Sequence, residues 1–293
     1  MHKFVFIPVG ELANRMRALT SALTLARKSD CRLQVIWFQD WALRAPFHAL
    51  FQEIHEPDLA LKEATWGDFV YDRPRQRNLY LPRFFQRICF KRCLYEKSIT
   101  PLCKQNFDFA EWARQDRVYM ASYTAFQSYS YDLLRKLFVP QPEIQHLIDR
   151  RCTHFTSRTI GVHIRRTDNT ASIQQSPVEL FFAAIDQELD ACPDLSIYLA
   201  TDSETVKQEL KRRYGNRLLC AEEEADRSST SGIQGGVADM YTLARTDKIF
   251  GSFQSSFSEL ASQLGNIPLV IVRNRRCVII PNRSLDRSTV LFF

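Results

Sequence analysis

The segment Gly161-Val162-His163-Ile164-Arg165-Arg166-Thr167-Asp168-Asn169 gathers an imidazole, two adjacent guanidiniums and a carboxylate in one short stretch. A guanidinium meets phosphate oxygens as a bidentate fork, which a lysine ammonium cannot do. Two arginines side by side at the end of a strand therefore read as a clamp for a diphosphate. The competing reading is a surface ion pair among Arg165, Arg166 and Asp168. Such pairs contribute only ~0–1 kcal/mol and have no need of a strand terminus.

Three other places carry polar residues where a strand gives way to a helix. Gly10, Asn14 and Arg15 lie in the first of these turns. Its backbone N–H groups suit a phosphate or carboxylate, and Asn14 reads equally well as a helix cap. Asp202, in Thr201-Asp202-Ser203, either caps the next helix or holds one of the arginines. Ser252, Gln254, Ser255 and Ser256 follow Gly251. Small hydroxyl residues ahead of a helix make an anion site from O–H and N–H donors, or a simple N-cap.

The elements that must position these residues follow from periodicity. Residues 4–9 form a short apolar run and 33–37 another. Between them, over 14–28, Met16, Leu19, Leu23 and Ala26 recur at helical spacing, so a parallel βαβ unit is expected. Residues 41–138 are rich in Phe, Tyr, Arg and Pro, with weak periodicity. Within them, 82–93 is aromatic and basic. It reads as a surface for membranes or a lipid-linked substrate, or as a helix that buries Phe85, Ile88 and Cys89 under an outer basic face.

Pro140-Gln141-Pro142 marks a domain junction. Beyond a helix over 143–152, strands are expected at 159–164, 196–200, 217–220, 248–251 and 268–272. Helices fall between them: one opened by a capping box at Ser176-Pro177-Val178-Glu179 and running to 189, then 204–214, 237–246 and 256–264. Gly215 and Gly265 would stop the last-but-two and the last of these. Residues 221–236 read as a long polar loop. The fold class is α/β, with two Rossmann-like domains whose parallel sheets face a cleft. The expected divisions are 1–140, 141–275 and a tail, 276–293, packing back on the N-terminal domain.

Composition removes other classes. The chain has 293 residues, 9 of them glycine, and neither G-x-G-x-x-G nor G-x-x-x-x-G-K-[ST] occurs. The six histidines show no ligand spacing, so no metal site is expected. A net charge of +6 suits an acidic small ligand, but no nucleic-acid module accompanies it. Eight cysteines without framework spacing, and no signal-like segment, point to a reducing, cytoplasmic setting, with contact at the inner membrane surface left open.

Residues 160–168 resemble the G-V-H-x-R-R-T-D motif of the α1,6-fucosyltransferases, the group of the core-fucosylating and bacterial nodulation enzymes. The similarity continues through Tyr198-Leu199-Ala200-Thr201-Asp202, Asp239-Met240-Tyr241-Thr242-Leu243-Ala244 and Gly251-Ser252-Phe253-Gln254-Ser255-Ser256, covering roughly 158–272. The resemblance implies a GT-B-like fold and inverting, metal-free transfer of fucose from GDP-fucose. The acceptor would be a glycan or lipid-linked oligosaccharide on the side of the N-terminal domain. It would place Arg165 and Arg166 on the diphosphate, His163 near the nucleotide, Asp239 on the guanine edge and Ser255 on the phosphates. Arg166 and Asp168 are then the expected catalytic residues. Gly10, Asn14, Arg15, His163, Arg165, Asp202, Asp239, Ser252, Gln254, Ser255 and Ser256 are the expected substrate-binding ones. One departure stands out. The core-type enzymes carry a Glu about five residues beyond the motif Asp, whereas 169–173 here is Asn-Thr-Ala-Ser-Ile. A base would then come from Glu11, Asp40 or Asp168, or the transition state is dissociative enough to need little base. Another nucleotide sugar on the same fold, or an inactive nucleotide- or glycan-binding module, are the alternatives.

Overall fold

The computed structural model describes residues 2–167, 169–222, 226–274 and 278–280. The chain divides into two compact units, Met1–Val139 and Pro140–Phe293.

Unit 1 runs β1 (His2–Pro8), α1 (Leu12–Lys28), β2 (Cys31–Trp37), α2 (Phe47–Leu50), β3 (Leu59–Glu63), α3 (Leu81–Cys89), β4 (Arg92–Leu94), α4 (Glu96–Lys104), α5 (Phe109–Ala113), β5 (Arg117–Ser122) and α6 (Tyr131–Leu137). A 3-10 helix, Trp66–Tyr71, precedes α3. The five strands form a parallel sheet in the order β3-β2-β1-β5-β4. Met16, Leu19, Leu23 and Ala26 of α1 are all fully buried, as their spacing requires. Phe47, Phe51 and Phe138 pack with centroids 5.2–6.2 Å apart, a core knot formed by part of the phenylalanine-rich stretch. The helix expected to begin at Asn14 begins two residues earlier, and its N-cap is Glu11. Asn14 is therefore not the cap.

Unit 2 runs α7 (Pro142–Cys152), β6 (Thr159–Ile164), α8 (Thr170–Gln175), α9 (Val178–Ala191), β7 (Ser196–Thr201), α10 (Glu204–Tyr214), β8 (Leu218–Cys220), α11 (Thr230–Leu243), β9 (Lys248–Ser252), α12 (Ser256–Gly265), β10 (Leu269–Val272) and β11 (Val278–Ile280). The strand order is β11-β10-β9-β6-β7-β8, parallel throughout except for β11. The tail was expected on the N-terminal domain. Val278–Ile280 instead pairs antiparallel with β10 in the second sheet, and 281–293 lies outside the described residues.

Strand β6 shows how the fold aims its chemistry. Ile160, Val162 and Ile164 are fully buried in one core with Phe181, Ile185, Ile197 and Leu210. Burial of each such side chain is worth ~1.5–3 kcal/mol. The two-residue period then turns Gly161 and His163 to the opposite face. There a Cβ on Gly161 would come within 2.8 Å of the Leu243 and Thr246 side chains, so the glycine makes room for both.

Several boundaries differ from expectation for physical reasons. The supposed loop 221–236 is helical from Thr230, because Ser229 caps α11 on the N–H of Gly232 and offsets its three glycines. Ser176 makes no capping box. Its hydroxyl accepts from Phe253 N–H and donates to Val272 C=O, and Pro177 is the N-cap of α9. Gly265 does not stop α12; the left-handed residue is Asn266, at φ +53°. Gly265 is needed for close approach, since a Cβ there would lie 2.1 Å from the Ala244 carbonyl oxygen. Gly265→Ala should therefore destabilise the protein by ~1–3 kcal/mol. Gly235→Ala, with nothing within 4 Å of the new carbon, should stabilise α11 by ~0.5–1 kcal/mol. Urea midpoints of the two variants read the contrast directly.

Candidate active site

The C-terminal ends of β6 and β9 lie side by side, and the polar residues after them form one connected cluster. Ser252, fully buried, accepts from the Arg165 backbone N–H at 3.1 Å and donates to the His163 carbonyl at 3.3 Å. Its hydroxyl ties the two strand ends together and faces inward. Ser255, also fully buried, is the N-cap of α12 but makes no side-chain cap. Its hydroxyl lies 3.3 Å from His163 Nδ1. That leaves the first-turn N–H groups of α12 without capping from Ser255, and no intrahelical acceptor exists for them. Gln254 sits in the left-handed region at φ +53°, and its carbonyl accepts from Asn169 Nδ2 at 3.3 Å. Ser256 opens α12.

His163 is 8% exposed and stacked on Phe257 with centroids 4.7 Å apart. Burial depresses its pKa to about 3; Asp202 opposes the shift, while Arg165 and Arg227 add to it. The imidazole is thus neutral at physiological pH. An unfolded chain takes up this proton near 6.5, the folded one only near 3. Between those values the unfolded state holds more protons, so stability falls as pH falls. This one group contributes a slope approaching ~1.4 kcal/mol per pH unit. The destabilisation caused by His163→Gln should therefore shrink between ~pH 7.5 and ~pH 4.5, read as the difference between wild-type and variant urea midpoints at each pH.

The two arginines are used differently. Arg165 is half-buried, and its charge acts on His163. Arg166 turns its guanidinium away, donating from Nη1 to Ile173 C=O (3.2 Å) and from Nη2 to Ser176 C=O (2.5 Å). It thereby staples α8 to the strand end, where the sequence suggested a second phosphate ligand. Asp202 works on the loop backbone: it accepts from the N–H of Arg166 (2.6 Å), from the Thr167 hydroxyl (2.7 Å) and from Arg227 Nη2 (3.3 Å). Arg227, unremarked in the sequence because it lay in an apparent loop, joins the cluster in this way. Asp168 lies outside the described residues.

In unit 1 the turn after β1 has its own organisation. Gly10, at φ +88°, accepts from Arg15 Nε at 2.7 Å, and a Cβ there would crowd Asn14 and Tyr123. Arg15 is fully buried, bonded to Phe38 C=O and Asp40 and lying over Trp37. Burial, partly offset by Asp40, lowers its pKa to about 10. Expected as a ligand group, Arg15 is instead an internal brace of the turn. Asp40 likewise cannot serve as a mobile base: it is pinned between Arg15 (2.9 Å) and Arg73 (3.0 Å).

Residues 123–266 match the family model for the α-(1,6)-fucosyltransferase N- and catalytic domains. Over this segment the chain is similar to the α-(1,6)-fucosyltransferases. Its fold is that of the GT-B fucosyltransferases. A Bradyrhizobium NodZ fucosyltransferase is 16% identical, with 97% of this chain and 100% of that chain covered and a TM-score of 0.65. A mutant of Arabidopsis thaliana FUT1 in complex with GDP is 16% identical, with 92% and 70% covered and a TM-score of 0.60. POFUT1 in complex with GDP is 12% identical, with 91% and 95% covered and a TM-score of 0.54. At these identities the likeness is one of fold.

Within the matched segment the stretch 169–173, without a carboxylate, has structural work. Asn169 caps α8 on the Ser172 N–H, and the Ser172 hydroxyl donates to Phe253 C=O. Asp239 accepts from Tyr198 (2.6 Å) and Arg151 (3.0 Å), fastening α11 to β7 and α7. Among the described residues no three His, Cys, Asp or Glu side chains converge as a metal site would require. The seven described cysteines form no disulfide, and no described helix is long and apolar enough to cross a membrane.

Proposed function

We propose that this protein is an inverting glycosyltransferase that takes fucose from GDP-fucose and passes it to a glycan or lipid-linked oligosaccharide, without a metal ion. One observation carries the reading: Arg165, a half-buried residue, is fixed through its backbone beside a buried neutral imidazole and the N-terminus of α12, inside the family-matched segment. Departure of a nucleoside diphosphate builds negative charge on the leaving oxygens. Arg165 and the α12 N–H groups are donors held in place before that charge appears, which is how preorganised electrostatics lowers a barrier. His163, neutral and hydrogen-bonded to Ser255, offers an uncharged ring to the nucleotide. Being neutral, it needs no desolvation of an ion. Asp239 would accept from a guanine edge while its Oδ1 accepts from Tyr198 and Arg151. Asp202 and Arg166 act one step back, by fixing the 165–167 loop and α8. Unit 1 would take the acceptor. Relatives solved with GDP-fucose or GDP, NodZ and POFUT1, support the choice of donor.

The missing carboxylate in 169–173 favours one alternative, an inactive module that binds the nucleotide without turning it over. Release of GDP from GDP-fucose, measured with a panel of glycan acceptors, separates the two. Turnover supports the transferase. Intact GDP binding with no release across the panel supports the binding module.

A further inference from the structure

Helix α3 presents its apolar stripe to solvent. Leu81, Phe84, Phe85 and Ile88 recur at i, i+3, i+4 and i+7, the spacing that ordinarily faces a core. They are 50%, 65%, 41% and 69% exposed. The helix is held from its other side: Pro82 and Gln86 are buried, and Gln86 Nε2 donates to the carbonyls of Val70 (3.0 Å) and Asp72 (2.8 Å). Those bonds set the 3-10 helix Trp66–Tyr71 against α3, and Trp66 there is fully exposed. Tyr80, ahead of α3, is 55% exposed. A reading of 82–93 as a helix that buries Phe85, Ile88 and Cys89 is thus overturned: the glutamine goes inside and those three stay out.

The charge around this stripe says what it meets. Between residues 73 and 95 there are seven Arg or Lys and no Asp or Glu. Arg73 and Arg75 are paired with Asp40, Glu96 and Asp72. The other five, Arg77, Arg83, Arg87, Lys91 and Arg92, are all exposed. Arg83 and Arg87 alternate with the stripe on α3 itself, where long stems can lie along an apolar layer with their charges in the headgroups. A second copy docked on the same face would bring five cations from each chain together, at a cost in like-charge repulsion. An anionic bilayer complements both the charge and the aromatic stripe, and Trp and Tyr favour that interface.

We propose that the α3 face of unit 1 docks on an anionic lipid bilayer as a shallow, peripheral anchor. This stands apart from the transferase reading, and neither depends on the other. Sedimentation of the full chain with vesicles of phosphatidylcholine alone, or mixed with phosphatidylglycerol, tests it. Binding is expected to the mixed vesicles only and to be lost in high salt. Tryptophan fluorescence should shift to the blue on binding, and Trp66→Phe should remove most of that shift. Arg83→Glu with Arg87→Glu should weaken binding at least about tenfold. Phe84→Ser with Phe85→Ser should do the same while leaving the thermal melt in place, because both rings are exposed. Absence of vesicle binding, equal binding to both vesicle types, or binding indifferent to Phe84 and Phe85 would overturn the proposal. So would a concentration-dependent dimer that the same substitutions abolish.

Discussion

Arg165→Ala is expected to weaken GDP binding by roughly 30- to 1000-fold, the ~2–4 kcal/mol of a partly desolvated charge-assisted contact. The melting temperature should move little. The loop that carries Arg165 is held through its backbone, by Ser252 at Arg165 N–H and by Asp202 at Arg166 N–H, and those bonds survive the truncation. Release of GDP from GDP-fucose should fall further than affinity, because charge on the diphosphate grows toward the transition state. Arg165→Lys should recover part of the affinity through charge and little of the turnover, since an ammonium lacks the planar fork. Calorimetric titration paired with single-turnover GDP release measures both effects. A variant that keeps wild-type affinity and rate would remove Arg165 from the phosphates.

Arg166→Lys should show the opposite split. Its guanidinium bridges the carbonyls of Ile173 and Ser176, and one ammonium cannot reproduce that span. At least one acceptor loses its donor, at ~1–3 kcal/mol of stability. The end of α8 loosens, and with it the Ser172 and Ser176 bonds to Phe253 that shape the approach to α12. GDP affinity should stay within about threefold of wild type, while turnover falls roughly 10- to 100-fold through misplacement alone. A thermal melt beside the titration separates this positioning role from the direct role of Arg165. If Arg166→Lys lost affinity without losing stability, the two arginines would be acting as one clamp.

The strand-end chemistry was legible because period-two alternation is strict. Ile160, Val162 and Ile164 had to share one face, so His163 had to take the other, and the arginines had to leave at the strand end. Which carbonyl each guanidinium would reach depends on the path of α8, and no local pattern encodes that path. Arg15 misled for a related reason. A buried arginine is affordable only through Asp40, 25 residues away, and that partnership exists only in three dimensions. The start of α11 was hidden by Gly232, Gly235 and Gly236, whose low helix propensity is offset by the Ser229 cap. Strands β3 and β4 are short and half-exposed, so neither shows the run or alternation of a buried strand. The α3 stripe was visible as spacing. The same spacing serves a core or a bilayer, and only the buried Gln86 beneath it decides which side faces inward.

On the function proposed above, Arg165 and the N-terminus of α12, in place of a metal ion, hold a guanosine diphosphate at the ends of β6 and β9. Titration of the wild-type chain with GDP and with UDP, each with and without a metal chelator, tests it most directly. GDP should bind saturably, indifferent to the chelator and at least tenfold more tightly than UDP, a difference of ~1.4 kcal/mol or more. UDP binding as tight as GDP, or GDP binding that disappears with the chelator, would contradict it.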